Sequence, residues 1–119
     1  MFSVDAESKT ITMHRGDTGE MTVTVTGYTY GPDDRALFTV KDMSGTEVIR
    51  REYAMENNAF VVVFANADTD YLSPGTYSWD VRYIVDPDYD SSGKIEDGDA
   101  VSTPGSPYTL RLLSTVGQI

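Results

Sequence analysis

Thr76-Tyr77-Ser78-Trp79-Asp80-Val81-Arg82-Tyr83-Ile84-Val85 is the stretch that decides the fold. Tyr77, Trp79, Val81, Tyr83 and Val85 fall on one side of an extended chain, with Ser78, Asp80 and Arg82 opposite. A period of two with β-branched and aromatic residues is the pattern of a half-buried strand. Ser73-Pro74-Gly75 just before it is a turn in itself.

The same period runs outward in both directions. Thr10-Ile11-Thr12-Met13 alternates, and Met21-Thr22-Val23-Thr24-Val25-Thr26 does so strictly, with Met21, Val23 and Val25 on one face. Arg35 to Asp42 carries Ala36, Phe38 and Val40 on one side, and Glu47 to Met55 is its partner through Met43-Ser44-Gly45-Thr46. Asn57-Asn58 marks a second turn, because Asn tolerates the left-handed region. Ala59-Phe60-Val61-Val62-Val63-Phe64 is apolar on both faces and reads as a central strand. Asp68-Thr69-Asp70-Tyr71-Leu72 breaks the alternation and reads as one helical turn crossing between sheets. Tyr108 to Val116, with Tyr108, Leu110 and Leu112 aligned, supplies a last strand.

Seven such strands predict an all-β fold, an antiparallel immunoglobulin-like β-sandwich. In immunoglobulin domains a Tyr stands two residues before the core Cys of the sixth strand. Tyr77 takes the Tyr place and Trp79 the Cys place, so an indole fills the space where a disulfide would lie. The exception to the pattern is residues 86–105, Asp86 to Gly105, with six acidic residues against Lys94 alone. It reads as a long acidic loop or insertion before the last strand, and in compact domains such loops are commonly functional or disordered. A short extra hairpin around Lys94 to Ser102 is the alternative.

Length and composition bound the rest. With 119 residues, one domain, 1–119, is expected. Burial of about two-thirds of the unfolded surface gives it one modest core. Nine Lys+Arg against nineteen Asp+Glu leave a net charge of −10, which disfavours nucleic acid and anionic membrane as partners. The chain has no Cys, which removes disulfides, thiolate chemistry, cysteine zinc sites and iron–sulfur clusters. Met1-Phe2-Ser3-Val4-Asp5 has neither a basic nor an apolar signal region, so secretion by a signal peptide is not expected. The longest apolar run, Ala59 to Ala65, has strand length, far short of a membrane helix.

Candidate chemistry is sparse. Asp86, Asp88 and Asp90 alternate as the first ligands of a calcium loop do, and Asp97 falls at the twelfth place. Ser91 stands where that loop needs Gly, however, and no flanking helices are readable, so an EF-hand is rejected. Arg15-Gly16-Asp17 spells an integrin-recognition tripeptide, but Gly16-Asp17-Thr18-Gly19 reads better as a turn with Asp17 and Thr18 on nearby amides. His14 is the sole histidine. Asp33-Asp34 and Asp68/Asp70 lie in turn-like sequence, and Gly27, Gly31 and Gly45 are isolated turn glycines, not a phosphate loop. No catalytic, cofactor-binding or metal-ligating residue is therefore assigned, and neither an enzyme nor a cofactor is expected. Tyr28, Tyr30 and Tyr89 in expected loops, beside carboxylates, support the alternative function of a carbohydrate-binding or adhesin-like module.

Several stretches taken in order resemble a known family. They are Thr12-Met13-His14-Arg15-Gly16-Asp17-Thr18-Gly19, Ala36-Leu37-Phe38-Thr39-Val40-Lys41-Asp42 with Gly45, Asp68-Thr69, Pro74-Gly75-Thr76-Tyr77, and Leu110-Arg111-Leu112. Together they resemble the N-terminal immunoglobulin-like domain of phage baseplate upper proteins, and small tail-associated proteins of prophages. The resemblance implies a structural or assembly protein of a phage or prophage virion, in tail or baseplate. It also implies protein–protein contacts with other virion proteins or with itself, no catalytic residues, and a place in the virion or, during assembly, the host cytoplasm.

Overall fold

The computed structural model describes residues 2–102 and 107–114, except for the side chains of 97 and 99–102. The alternating stretches become β1 (Phe2–Val4), β2 (Ile11–His14), β3 (Gly19–Thr24), β4 (Arg35–Lys41), β5 (Glu47–Ala54) and β6 (Ala59–Phe64). After one helical turn, α1 (Asn66–Thr69), come β7 (Gly75–Tyr89), β8 (Ile95–Ser102) and β9 (Tyr108–Leu113). Residues 103–105 of the expected acidic loop and 115–116 of the expected last strand lie outside the described residues.

The strands form an all-β sandwich of two unequal sheets. The larger runs β1-β2-β9-β7-β4-β5, with β8 also paired to β7; the smaller is β3-β6 alone. Their facing sides hold one hydrophobic cluster, in which Phe38, Ile11, Leu110 and Val62 are all but sealed from solvent. Phe38 of β4 meets Phe64 of β6 edge-on at 5.9 Å, and Phe60 of β6 meets Tyr83 of β7 at 6.3 Å. On β7, Tyr77, Trp79, Val81 and Tyr83 are buried, as their alternation requires.

Tyr77 fixes the corner into β7. Tyr77 Oη donates to the Ser73 carbonyl at 2.6 Å, tying the start of the strand to the turn that leads from the small sheet to the large one. Trp79 is 4% exposed, lies between Phe38 and Tyr108 at 5.8 and 4.7 Å, and donates its indole N–H to the Lys9 carbonyl. The helical turn expected at Asp68–Leu72 begins two residues earlier. Asp68 sets its start by accepting the Ala65 amide at 2.8 Å.

Four expectations are corrected. The sandwich is not antiparallel throughout: β2 runs parallel to β9, Ile11 beside Leu110 through His14 beside Leu113. No hairpin joins these two strands, so their relative direction follows from the path of the whole chain. Among the described residues the strands number nine, because three residues at Phe2–Val4 pair antiparallel with β2 and β8 is added. Ala59–Phe64 is not central, since among the described residues β3 is its one strand partner. Val61 and Val63 on its outer face are 40% and 50% exposed, so its apolar outer positions reflect β-branched preference rather than double burial.

Nor is the described part of residues 86–105 a long loop: of the two readings, the short hairpin around Lys94 to Ser102 is the one that holds, with β8 at Ile95–Ser102. β7 continues to Tyr89 and turns back as β8. The turn Asp90-Ser91-Ser92-Gly93-Lys94 repeats that of Asp42-Met43-Ser44-Gly45-Thr46. In each, one carboxylate oxygen accepts the amide and hydroxyl of the serine two residues on and the amide four residues on. Gly93 and Gly45 have φ of 86° and 87°, the left-handed position that closes such three-residue hairpin loops. A register shift between Val85 and Asp88, with Asp86 at positive φ, bends this ribbon over the outer face of the large sheet. Its tip is latched on β5: the Ile95 amide donates to Glu52, and Arg50 donates to the Ile95 carbonyl. Ile84, on the outward side of β7, is thereby buried.

Candidate interaction surfaces

The residues singled out in the sequence do not converge. The turn Arg15-Gly16-Asp17 is docked rather than displayed: the Gly16 amide donates to Thr69 Oγ1 at 2.8 Å, and Asn66 donates to the Gly16 carbonyl. Thr69 itself is completely buried. Asp17 accepts the His14 amide at 2.8 Å and sits 3.7 Å from the imidazole, as a turn residue does. Asp34 accepts the amides of Gly31 and Asp86, joining the loop before β4 to the bend of β7. Asp68 holds Arg51 of β5 in an ion pair.

Among the described residues no three His, Asp or Glu side chains come together as a metal site. Asp90 is occupied with its turn, where the Ser92 hydroxyl and then the Lys94 and Ser92 amides hold its carboxyl below the usual range. Ser44 and the Thr46 amide do the same for Asp42. The side chain of Asp97 lies outside the described residues.

Of the loop tyrosines, Tyr28 and Tyr30 come together and Tyr89 stands apart on the β7 extension, 45% exposed. Tyr30 is engaged on both sides, by Tyr28 at 4.6 Å and by Tyr83 at 5.3 Å. Burial, with a smaller contribution from Tyr30, pushes the Tyr83 phenol up to about 12. This stack closes one end of the sandwich.

The feature that sequence reading missed is a groove of about 370 Å³ between the two sheets, along the outer edge of β3. One wall is the run Met21–Thr26; the other is Val4, Ala6 and Lys9; Trp79 and Tyr108 lie in its floor. It exists because β1 pairs with β2 and widens the large sheet instead of crossing to lie beside β3. Val4, Val23, Val25 and Tyr108 are half-buried hydrophobics packed against the core, so the groove is apolar and open to solvent. Lys9 is the charged side chain in its lining, and its ammonium is held by the Ala6 carbonyl at 2.8 Å. Such a surface has the features of a binding cleft. Strict alternation in Met21–Thr26 reveals an inward face, but nothing about which strand lies beside it.

No protein-family model, no curated protein and no solved structure matches the chain. No helix among the described residues is long and apolar enough to cross a membrane.

Proposed function

We propose that the chain is a non-enzymatic structural and assembly protein of a phage or prophage virion, in its tail or baseplate, working through protein–protein contacts. The observation that carries the reading is that the stretches resembling baseplate upper proteins belong to one connected unit. Thr12–His14 pairs with Arg111–Leu113, the Gly16 turn is bonded to Thr69, and Tyr77 pairs with Leu110. Residues shared for one structural purpose would be arranged in this way. An apolar interstrand groove and an acidic surface suit a part that is bound by other proteins.

Mass spectrometry of particles purified after prophage induction, from a strain carrying this gene, tests the proposal. Peptides of the chain at a fixed ratio to tail proteins are expected. Particles that infect normally and lack it would overturn the reading.

A further inference from the structure

The small sheet has two outer edges, and the fold treats them differently. The Val25 amide donates to the Asn58 carbonyl at 2.9 Å, and the Val25 carbonyl accepts from Asn58 Nδ2. Antiparallel strands alternate, so Met21 and Val23 also direct their N–H and C=O groups to β6, whereas Glu20, Thr22 and Thr24 direct theirs away. By the same alternation Ala59, Val61 and Val63 direct theirs to the outer side of β6. That edge is blunted at its start, where Ala59 and Glu56 exchange backbone hydrogen bonds at 3.0 Å. Natural sheets protect edges in such ways, or with Pro, Lys or bulges.

β3 carries little of this: the Phe2 ring lies against Gly19 at its start, and Glu20 is its one charged residue. Its register with β6 is unbroken over six pairs, it contains neither Pro nor Lys, and no described group bonds the outward backbone of Thr22 or Thr24. Beneath that open edge lies the apolar groove. An unpaired edge beside a cleft for alternate side chains is the surface that strand addition uses. Charge selects the occupant. Asp5 and Glu7 are exposed and alternate with the lining residues Val4 and Ala6, Glu20 is exposed on the edge itself, and Lys9 is the one cation of the lining, so three carboxylates at the rim outweigh one ammonium. A second copy would bring another net −10 to this rim, whereas a cationic segment is attracted to it.

We infer that β3 accepts an extended, basic segment of a partner protein as a third strand of the small sheet. The segment runs antiparallel to β3 and its alternate apolar side chains enter the groove between Val4, Val23 and Tyr108. The inference rests on the reading of the chain as a protein-binding part and names the surface used. It stands or falls separately from the virion assignment, because the probe below is synthetic.

The probe is the capped heptapeptide Lys-Val-Thr-Val-Thr-Val-Lys, titrated into isotope-labelled protein and followed by backbone amide resonances. Saturable shifts at Thr22 and Thr24 are expected, with their amide exchange slowed at least tenfold at saturation. Methylating the peptide amides that face β3 should weaken binding at least tenfold, and so should replacing both lysines with glutamate. Thr22→Pro in the protein should do likewise. If that variant does not fold, the methylated peptide decides. Equal binding of the methylated peptide, or no change at Thr22 and Thr24 at millimolar peptide, would overturn the inference. A peptide-free dimer that protects these two amides would overturn the choice of occupant.

Discussion

Replacing Tyr77 by Phe removes one hydroxyl and leaves the ring, so it isolates the bond that fixes the corner before β7. Tyr77 is 7% exposed, and its Oη lies 2.6 Å from the Ser73 carbonyl. Losing the donor forfeits a net contribution of about 1 kcal/mol and leaves a part-buried bond without its donor, for a total of about 1–2 kcal/mol. For 119 residues the unfolding entropy is roughly 0.25 kcal/mol/K, so a loss of about 1.5 kcal/mol lowers Tm by about 6 °C. Tyr71→Phe supplies the control. Tyr71 Oη donates to the Val48 carbonyl at 3.0 Å, but the residue is 65% exposed, so water replaces the bond and Tm should move by less than about 2 °C. Thermal unfolding of both variants by circular dichroism measures the difference. Equal shifts, or no shift for Tyr77→Phe, would refute the argument that this bond is sheltered by the Tyr77 ring and holds the corner.

Acid should loosen both serine-bonded turns. Asp42 and Asp90 have folded pKa values below their ordinary value, so their stabilisation is present above the usual carboxylate range and lost as pH falls through the folded values. Denaturant unfolding between pH 7 and pH 3 should show less of this loss in the Asp42→Asn, Asp90→Asn double variant. Gly98→Ala should cost about 1–3 kcal/mol: φ there is 150°, and a Cβ would lie 2.6 Å from Ile84 Cγ2. The same change at Gly27, with φ of 91° and open space around it, isolates the backbone part and should cost about 1 kcal/mol. Glu52→Ala removes the acceptor of the Ile95 amide, so exchange at Ile95 should quicken while global stability changes by less than about 1 kcal/mol.

The sequence signals that succeeded were those in which one residue reports one environment. Tyr77, Trp79, Val81 and Tyr83 alternate because one side of β7 is buried, and the structure buries them. The signals that failed involve neighbours in the sheet. Asp90-Ser91-Ser92-Gly93-Lys94 carries the same turn chemistry as the legible Asp42–Thr46 hairpin. Its flanks are acidic and show no apolar alternation, so the two strands were legible only as the alternative hairpin around Lys94 to Ser102. Ala59–Phe64 misled for the opposite reason, since its exposed valines imitate a strand buried on both sides. The groove was illegible because hydrophobic period fixes a strand's face and not its lateral partner. That choice was made at Phe2–Val4, three residues that pair with β2 instead of β3.

Residue-resolved amide exchange along β3 in the free protein tests most directly the claim that this sandwich keeps one edge open. Met21, Val23 and Val25 should be protected by β6, with Thr22 and Thr24 exchanging orders of magnitude faster between them. Uniform protection from Met21 to Val25 would mean that another strand already lies on that edge, and would contradict the account.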